Sequence, residues 1–428
     1  MEQLYQLYKS ATGVSTDTRK IEKGNLFFAL KGPTFNGNEF AANALALGAS
    51  SVVVDEPSYL VEGDRRYFLV EDTLAALQQL ANYHRKLLNI PIVAITGTNG
   101  KTTTKELIQV VLAQKYAVKA TVGNLNNHIG VPLTLLAMDE NTEIGVVEMG
   151  ANKLGDIREL CEIAAPSHGL ITNIGKAHLQ GFGDLEGVLR TKTELYQYLI
   201  SNKGKVFINT DNLMLFNMAK RFEKPILYPQ KGNFYECTLV EANPFVQFKT
   251  KDGEVHVTKM LGAYNFDNIA TALTVGSYFG VDEAKAINAI CEYIPSNMRS
   301  QLIEKRSNLI LLDAYNANPS SMEEAIKAFG KMTGKKRKMI ILGDMFELGS
   351  SEVEEHQKVG ALLNNLNIDK ICFTGKLMQH ALTHSPRGLY FPDPFSLRNW
   401  LQDSKLEDYL ILIKGSRSMK LEGLVDFI

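Results

Sequence analysis

The stretch that decides the fold is Ile92-Val-Ala-Ile-Thr-Gly-Thr-Asn-Gly-Lys-Thr-Thr-Thr104. An apolar run typical of a buried strand ends in two glycines, a lysine and three hydroxyl side chains, and a helical pattern follows. Glycines let the backbone turn tightly, so that its N–H groups point at phosphate oxygens. Lys101 supplies a positive charge for the β- and γ-phosphates, and a threonine hydroxyl reaches Mg²⁺. The stretch therefore predicts a binding site for a nucleoside triphosphate.

The spacing of this loop is Gly97-x-x-Gly100-Lys101-Thr102, which differs from the common phosphate-loop pattern G-x-x-x-x-G-K-[ST]. That pattern would need a glycine at the position of Ile95. An ordinary strand-to-helix turn is the alternative, but the flanking strand and helix favour the phosphate loop. The residues expected to hold the nucleotide are Gly97, Thr98, Asn99, Gly100, Lys101, Thr102 and Thr103.

Composition indicates a globular protein with two or three domains, because the chain has 428 residues of which 45% are hydrophobic and 22% charged. A net charge of −1 gives no support for a nucleic-acid or membrane-surface partner. No charged-then-apolar leader and no apolar run of about 18 residues is found, so we expect a cytoplasmic protein. Its four cysteines lie far apart, and we expect them to be reduced.

The pattern of apolar residues divides the chain into three parts, and we expect domains at residues 1–89, 90–297 and 298–428. The first part contains short strands and two helices. Its strands are expected at Leu26–Leu30, Ser51–Val54 and Tyr67–Val70, and its helices near Ala41–Leu47 and Thr73–Leu88.

The second part alternates strands and helices, which predicts a parallel sheet covered by helices. Its strands are expected at Ile92–Ile95, Ile144–Met149, Leu170–Ile174 and Val206–Ile208. An antiparallel pattern with a turn at Asp252-Gly253 follows, and then a helix. The antiparallel strands are expected at Phe234–Val240, Phe245–Thr250 and Glu254–Thr258, and the helix at Asn265–Tyr278.

The third part alternates strands and helices again. Its strands are expected at Leu309–Leu312, Met339–Leu342, Ile371–Phe373 and Leu410–Ile413. Ligands of open α/β sheets bind at the carboxyl ends of the strands. Asp313, Gly343-Asp344 and Lys414-Gly-Ser-Arg417 come directly after such ends, so we expect them near a ligand.

Two residues after strands of the second part are candidate metal ligands. Glu148 ends a strand beside the phosphate loop, where a carboxylate can hold Mg²⁺. The alternative is a glutamate that faces solvent. His178 follows the next strand, and its position alone leaves a surface or core histidine as an equal alternative.

Four further residues are candidates for functional roles, and each also has an ordinary structural interpretation. Lys192 lies in a helical stretch, where a solvated lysine is the usual interpretation. Asp313 suits hydrogen bonding to ribose hydroxyls, or else caps a helix or forms an Asx turn. Arg299 and Arg417 offer positive charge for a phosphoryl group, or else lie on the surface.

These motifs together resemble the ATP-dependent Mur ligases of bacterial peptidoglycan synthesis, from about Ser15 to Glu422. The matching runs are Gly97–Thr103, Asn126-Asn127, Ile129–Thr134, Glu148–Ala151, Asn173–His178, Lys192-Thr-Glu194, Leu261-Gly262, Asn265, Asn268, Asp313–Pro319, Leu342–Gly349, Glu355-His356 and Lys414–Arg417. Within the family, Tyr-Asn-Ala-Asn-Pro and Gly-Asp-Met-x-Glu-Leu-Gly are typical of the members that add D-alanyl-D-alanine.

The resemblance implies an α/β fold of three domains: a small α/β domain that binds UDP, a central ATP-binding domain with a parallel sheet and a small antiparallel sheet, and a C-terminal Rossmann-like domain. It implies ATP, two Mg²⁺ ions and a carbamate on Lys192. Lys101, Lys192, His178 and Arg299 would be catalytic, and Thr102, Glu148, His178 and Lys192 would hold metal. Asn265, Asn268, Asp313 and Asn316 would bind ATP. Substrate residues would be Ser15, Thr16, Asp17, Arg19, Lys31, Asn126, Asn127, Asp344, Lys414, Ser416 and Arg417.

The implied reaction joins D-alanyl-D-alanine to UDP-N-acetylmuramoyl-tripeptide through an acyl phosphate, in a cytoplasmic monomer that binds neither nucleic acid nor membrane. Departures from the family pattern are Phe35-Asn-Gly-Asn38, Tyr264-Asn265 and Leu312. Alternatives are a Mur ligase that adds diaminopimelate or lysine, folylpolyglutamate synthase, or a phosphate-loop switch or motor NTPase. The third domain has no Asp-Asn-Pro-Arg run, which the diaminopimelate-adding members usually show.

Overall fold

The structure is a computed structural model that describes residues 1–177, 179–334 and 336–428. Its first domain is built on a parallel sheet in the strand order β1-β2-β5-β6, beside a short antiparallel pair, β3 and β4. The elements are α1 (Glu2–Ser10), β1 (Val14–Ser15), β2 (Leu26–Phe28), β3 (Lys31–Gly32), β4 (Phe35–Asn36), α2 (Ala41–Ala46), β5 (Ser51–Val54), β6 (Tyr67–Leu69) and α3 (Thr73–Leu88).

The central domain contains a parallel sheet in the order β12-β11-β10-β7-β9-β8 and an antiparallel sheet in the order β13-β14-β15. Its elements are β7 (Ile92–Thr96), α4 (Lys101–Leu112), β8 (Val118–Ala120), α5 (Gly130–Leu136), β9 (Ile144–Glu148), α6 (Asp156–Ala164), β10 (His168–Ile171), α7 (Leu179–Phe182), α8 (Leu185–Lys192), α9 (Glu194–Ser201), β11 (Lys205–Asn209), α10 (Leu213–Ala219), β12 (Ile226–Tyr228), β13 (Cys237–Ala242), β14 (Phe245–Thr250), β15 (Val255–Leu261), α11 (Asn265–Tyr278) and α12 (Glu283–Glu292).

The third domain is built on a sheet in the order β16-β17-β21-β18-β19-β20, parallel except for the edge strand β16. Its elements are β16 (Gln301–Lys305), β17 (Asn308–Asp313), α13 (Pro319–Lys331), β18 (Arg337–Gly343), α14 (Glu352–Leu363), β19 (Lys370–Thr374), β20 (Leu389–Phe391), α15 (Pro394–Asp403) and β21 (Tyr409–Lys414). Short 3₁₀ helices lie at Thr18–Lys20, Gly37–Phe40, Pro57–Tyr59, Gly349–Ser351, Met378–Thr383, Arg417–Met419 and Leu421–Phe427.

Strand β7 is apolar at successive positions because both faces of its sheet are covered. Ile92 and Ala94 belong to a core that also contains residues of α3, α5 and α9. Val93 and Ile95 point to the opposite side and pack with residues of α4 and α11. Successive side chains of a strand alternate between faces, so a strand buried on both sides needs an unbroken apolar run. This burial fixes the point where the phosphate loop leaves the sheet.

The predicted α/β architecture is confirmed, with corrections at element ends. The strand predicted at Leu170–Ile174 ends at Ile171 because the following residues bind the phosphate loop. The strand predicted at Phe234–Val240 begins at Cys237. Helix α1 and strands β1, β3, β4, β8, β12, β16 and β20 were not predicted from the sequence. These strands are short or lie at or near sheet edges. The domain boundaries at 89/90 and 297/298 stay predictions.

Within the described ranges, no helix combines the length and apolar character needed to cross a membrane. Cys161, Cys237, Cys291 and Cys372 are all free thiols.

Candidate active site

The phosphate loop leaves β7 and enters α4 through two glycines with left-handed φ angles, +141° at Gly97 and +77° at Gly100. Neither position has room for a side chain. A Cβ on Gly97 would lie 2.0 Å from the Thr172 hydroxyl, and one on Gly100 would lie 2.6 Å from Asn268 Oδ1. The two contacts show that the segment directly after β10 and the start of α11 form the walls of this loop. Only glycine satisfies both the backbone angles and the close approach.

The Lys101 ammonium folds back over its own loop. It donates hydrogen bonds to the carbonyl oxygens of Gly97 at 2.8 Å and Thr98 at 2.9 Å. Burial lowers the pKa of Lys101 to about 8, although the charge of Glu148 acts in the opposite direction and Arg299 adds to the lowering. A buried ammonium of this kind is strongly stabilised when a negatively charged phosphate binds beside it.

Glu148 ends β9 inside the protein, with 1% of its surface exposed, so the solvent-facing alternative is wrong. Its carboxylate accepts hydrogen bonds from the Thr102 hydroxyl at 2.8 Å and from Asn126 Nδ2 at 2.7 Å. The carboxylate and the hydroxyl are hard oxygen donors beside the phosphate loop, which suits Mg²⁺. In the described part of the chain, no three His, Cys, Asp or Glu side chains gather as a metal cage. Mg²⁺ bound by few side chains, phosphate oxygens and water needs no such cage.

Lys192, at the end of α8, is also buried, with 3% of its surface exposed, so the solvated-lysine interpretation is wrong. Its Nζ lies 5.5 Å from the centre of the Phe182 ring. Burial holds the pKa of this amine well below its ordinary value, and the charge of Lys101 acts in the same direction. His178 lies outside the described residues.

The third domain contributes a charged pair from neighbouring strands. Asp313 and Lys414 are register partners at the ends of β17 and β21, and Lys414 Nζ lies 2.5 Å from Asp313 Oδ2. Asp313 also accepts a hydrogen bond from the Ser300 backbone N–H at 3.2 Å. Helix α13 is capped by Asn318, so the interpretation of Asp313 as a helix cap is wrong.

Arg299 lies against the same cavity with its guanidinium carbon 3.8 Å from the centre of the Tyr315 ring. Its Nε is buried and has no hydrogen-bond partner among the described residues. A buried donor without a partner is costly in the free protein, so an anionic ligand would restore the missing interaction. Arg299 is half-buried against this cavity rather than fully exposed, and its role toward a phosphoryl group stays a prediction.

These side chains line one space of about 370 Å³, called the first cavity. It brings together predicted residues from the central and third domains: Thr98, Asn99, Gly100, Lys101, Thr102, Thr103, Asn126, Glu148, Asn265, Asn268, Arg299, Asp313, Asn316 and Lys414. It also includes residues that the sequence analysis did not select, among them Asn124, Tyr264, Ser300, Tyr315, Asn318 and Glu324. Tyr315 and Asn318 lie in a run quoted for the resemblance, which is the signal that could have identified them.

Direct contacts join the third domain to the loops of this cavity. Asn318 Nδ2 donates to Asn99 Oδ1 at 2.8 Å, and the Lys176 backbone N–H donates to the Ser320 hydroxyl at 3.0 Å. The Lys176 ammonium pairs with Glu355 at 3.1 Å. The two domains therefore already meet at the phosphate loop in this conformation.

Ser15, Thr16 and Asp17 line a separate space of about 880 Å³, called the N-terminal cleft. The two cations predicted beside them are both held in ion pairs. Arg19 pairs with Asp17 at 2.8 Å with 86% of its side chain exposed, and Lys31 pairs with Asp55 and Glu56, each at 2.9 Å. Among the described lining residues, neither Arg19 nor Lys31 contributes to this cleft.

Two other predicted substrate residues have structural hydrogen bonds. Asn127 Oδ1 accepts from the N–H groups of Ile129 and Gly130 at the start of α5. Asp344 is buried, and its Oδ1 accepts from the N–H groups of Leu377 and Met378. Their roles in substrate binding stay predictions.

Ser416 and Arg417 line a further space of about 420 Å³, called the second cavity. The Ser416 hydroxyl accepts from the Phe346 backbone N–H at 3.1 Å. The guanidinium of Arg417 pairs with Glu422 at 2.9 Å. The sequence analysis gave Arg299 and Arg417 the same interpretation, but the two residues line different cavities.

Three family models match consecutive parts of the chain. The Mur ligase family catalytic domain matches residues 10–85, the Mur ligase middle domain matches 95–276, and the glutamate ligase domain of Mur ligases matches 298–417.

Relatives match over nearly the full length. The UDP-N-acetylmuramoyl-tripeptide–D-alanyl-D-alanine ligase of Bacillus subtilis is 37% identical over 421 residues, 96% of this chain and 92% of the relative. The Escherichia coli ligase of the same name is 34% identical over 425 residues, again 96% and 92%.

Solved structures agree with these matches. MurF from Acinetobacter baumannii has a TM-score of 0.88 at 29% identity, covering 99% of this chain and 97% of that one. MurF from Thermotoga maritima in complex with ADP has a TM-score of 0.85 at 28% identity, covering 98% and 97%. With full-length relatives above 30% identity and a shared fold, this chain belongs to the Mur ligase family.

Proposed function

We propose that the chain is an ATP-dependent ligase that joins D-alanyl-D-alanine to UDP-N-acetylmuramoyl-tripeptide, a step in peptidoglycan precursor synthesis. One observation carries the proposal. The first cavity joins the phosphate loop and Glu148 of the central domain to Arg299 and Lys414 of the third domain. Cations from a second α/β domain supply the positive charge that is needed when a substrate carboxylate approaches the polyphosphate, as ligation requires. The full-length relatives named for this reaction support the same substrates.

The reaction places a carboxylate beside a polyphosphate, so charge neutralisation is the main demand. The tripeptide carboxylate attacks the γ-phosphorus of ATP, and the bond between that phosphorus and the bridging oxygen breaks, which gives an acyl phosphate and ADP. The amine of D-alanyl-D-alanine then attacks the carbonyl carbon. Inorganic phosphate leaves, the amine loses its proton, and an amide remains. Lys101 and the unpartnered Nε of Arg299 are the cationic groups suited to the phosphoryl oxygens.

Asn265, Asn268, Asp313 and Asn316 would hold the rest of the ATP. All four line the first cavity, and Asn265 and Asn268 lie in the first turn of α11 beside the phosphate loop. Asp313 has a carboxylate oxygen at a strand end, where a ribose hydroxyl can donate to it. Its ion pair with Lys414 would orient that carboxylate.

Two Mg²⁺ ions belong to the proposal. Thr102 and Glu148 would hold the first, since their oxygens already lie together at the loop. His178 and Lys192 would serve the second. The ions would neutralise phosphate charge when bound.

A carbamate on Lys192 would make that lysine a ligand rather than a repelling cation. The neutral amine attacks CO₂, a C–N bond forms, and one proton is released. The burial of Lys192 supports this modification, because a buried ammonium beside Lys101 is unfavourable, whereas a buried anion can pair with a cation.

The UDP end of the tripeptide substrate would occupy the first domain. Ser15, Thr16 and Asp17 line the N-terminal cleft, and Arg19 and Lys31 lie on the same domain. We further propose that the enzyme acts as a monomer in the cytoplasm, where ATP and UDP-linked precursors are available. The four free cysteines agree with a reducing compartment.

The decisive experiment measures phosphate release with ATP and UDP-N-acetylmuramoyl-tripeptide while the amine is varied. We expect release that depends on D-alanyl-D-alanine and is accompanied by amide product. Free diaminopimelate or lysine should not replace the dipeptide, and release that needs no amine would identify a simple NTPase instead.

A further inference from the structure

The segment that carries Arg299 has an unusual backbone. Among residues 297–300, Asn297, Met298 and Ser300 have left-handed φ angles of +59°, +58° and +49°. Asparagine tolerates this region, but methionine and serine adopt it only where the surrounding structure holds them there. The direction of Arg299 therefore depends on the contacts that its neighbours make.

Contacts within the third domain hold one side of this segment. The Tyr315 N–H donates to the Met298 carbonyl at 3.2 Å, and the Ser300 N–H donates to Asp313 Oδ1 at 3.2 Å. The centre of the Tyr315 ring lies 3.8 Å from the guanidinium carbon of Arg299, and Tyr315 borders both the first and the second cavity. These contacts leave the chain that precedes Met298 to be held by another element.

Glu106, on helix α4 of the central domain, holds the other side of the segment. Its Oε2 accepts from the Tyr293 hydroxyl at 2.5 Å, and its Oε1 accepts from Asn297 Nδ2 at 3.1 Å. Burial raises the pKa of Tyr293 well above its ordinary value, and the charge of Glu106 acts in the same direction. The Tyr293 hydroxyl therefore keeps the proton that it donates. The charge of Arg299 opposes this shift, which is the effect of a nearby cation.

Glu106 is not among the described residues that line the first cavity. It lies in the second turn of α4, the helix that begins at Lys101, and 17% of its side chain is exposed. Its neighbour Lys105 is buried, donates to the Thr121 carbonyl at 2.8 Å and lies 3.6 Å from the Glu106 carboxylate. Glu106 would thus affect a phosphoryl group in the cavity through the residues that it binds.

We propose that Glu106 is a positioning residue for Arg299. By binding Tyr293 and Asn297, it holds the start of the segment against α4 and keeps the guanidinium over Tyr315. The Nε of Arg299, which has no hydrogen-bond partner among the described residues, is then available to an anion. This inference rests on the proposed function, in which Arg299 meets the phosphoryl group of ATP. Loss of the Glu106 carboxylate would leave Arg299 present but poorly placed, because the left-handed segment could relax.

The test compares the Kd of a non-hydrolysable ATP analogue with that of ADP, measured by calorimetry on the full chain with Mg²⁺. Arg299→Ala should weaken binding of the analogue about 10- to 100-fold and leave ADP nearly unchanged, because only the analogue has a γ-phosphate. Glu106→Ala should weaken the analogue about 5- to 10-fold. Added to Arg299→Ala, it should have an effect of less than about twofold, since no guanidinium is left to position.

Two milder variants keep the test valid if Glu106→Ala does not fold. Tyr293→Phe keeps the ring and removes one hydrogen bond, and Glu106→Gln keeps the size and an acceptor oxygen. Each should weaken the analogue about two- to threefold, again only when Arg299 is present. Glu292→Ala is the matched control, since Glu292 is an exposed carboxylate next to Tyr293 that pairs with Lys259 at 2.6 Å. It should leave both Kd values unchanged.

An equal loss from Glu106→Ala in the parent and in Arg299→Ala would refute the positioning role. Equal weakening of ADP and the analogue would refute it as well, as would an unchanged Kd for the analogue in either single variant. In each of these cases the ligase assignment stands. A parent enzyme that forms no amide with D-alanyl-D-alanine would instead contradict the proposed function itself.

Discussion

The side-chain amide of Asn318, in the third domain, makes two hydrogen bonds that have different structural roles. Its Oδ1 accepts from the Ser321 backbone N–H at 2.9 Å and caps helix α13. Its Nδ2 donates to Asn99 Oδ1 in the phosphate loop at 2.8 Å, across 219 residues of sequence. The start of a third-domain helix is thereby tied to the nucleotide loop of the central domain.

We predict that Asn318→Ser separates these two purposes. Serine is a good helix cap but is too short to reach Asn99, so the free energy of unfolding should change little. The KM for ATP should rise about 5- to 10-fold, in proportion to one lost hydrogen bond. Asn318→Ala is the companion variant, and it should also lose about 1 kcal/mol of stability because the cap is removed. Steady-state kinetics and urea unfolding of both variants measure the two effects, and an unchanged KM in both would exclude the link.

The charge of Lys101 should set an alkaline limit for ATP capture. Its pKa in the free enzyme is about 8, so the ammonium that phosphate needs is lost as the pH rises above that value. Because kcat/KM reports the free enzyme, kcat/KM for ATP should fall about tenfold per pH unit beyond pH 8. Lys101→Arg should flatten this decline, and Lys101→Ala should lose activity at every pH while remaining folded.

The same shift has the opposite effect on stability, which provides a control. The folded pKa of Lys101 lies below its ordinary value of 10.5, so between about 8 and 10.5 the unfolded chain binds more protons than the folded chain. The contribution of Lys101 to the free energy of unfolding therefore rises with pH in that window. Lys101→Ala should remove this rise. A fall in kcat/KM that follows unfolding of the protein would contradict the assignment to Lys101.

Glu148 should act through Mg²⁺. Glu148→Gln keeps the size of the side chain and an oxygen for Thr102, but it removes the charge that attracts a cation. The Mg²⁺ concentration for half activity should rise about 10- to 100-fold, as expected for a lost charged ligand interaction. Magnesium titrations of the parent and the variant measure this, with His178→Ala as a second case. Superimposable curves would leave Glu148 a purely structural role.

Lys192→Ala should lose most of the activity, and a small added carboxylate should restore part of it by taking the place of the carbamate. Lys192→Gln should be as inactive as Lys192→Ala, because glutamine has a similar length but no charge with which to hold a cation. The modification itself is detected as a carbamate signal after exchange with ¹³CO₂. An active, nucleotide-bound enzyme whose Lys192 is unmodified would refute the carbamate and leave the ligase reaction in place.

The features predicted well from the sequence are those that depend on neighbouring residues. The helix expected at Asn265–Tyr278 has those bounds, and the turn at Asp252-Gly253 joins two antiparallel strands. Local periodicity fixes such elements. Edge strands such as β16 and β20 carry too little pattern, because one side of them has no partner strand.

Residue contacts between distant segments could not be predicted in this way. Nothing near Asn318 in the sequence indicates that it reaches Asn99, and nothing near Arg417 separates its cavity from that of Arg299. The burial of Lys192 likewise depends on elements that pack around it rather than on its helix. These contacts arise only when segments that are distant in the sequence pack together in the folded protein.

The wall shared by the two cavities has a consequence for the design of inhibitors. Tyr315, Asn316 and Asn318 border both spaces, so ligands in the two cavities are near neighbours. A single compound that joins a nucleotide mimic in the first cavity to a group that fills the second cavity, through a short linker, would bind its second half at a high effective concentration. Such a compound would gain affinity over either half alone without forming any new contact with the protein. A substitution at this wall that weakened the compound would alter both cavities together, which narrows the routes to resistance.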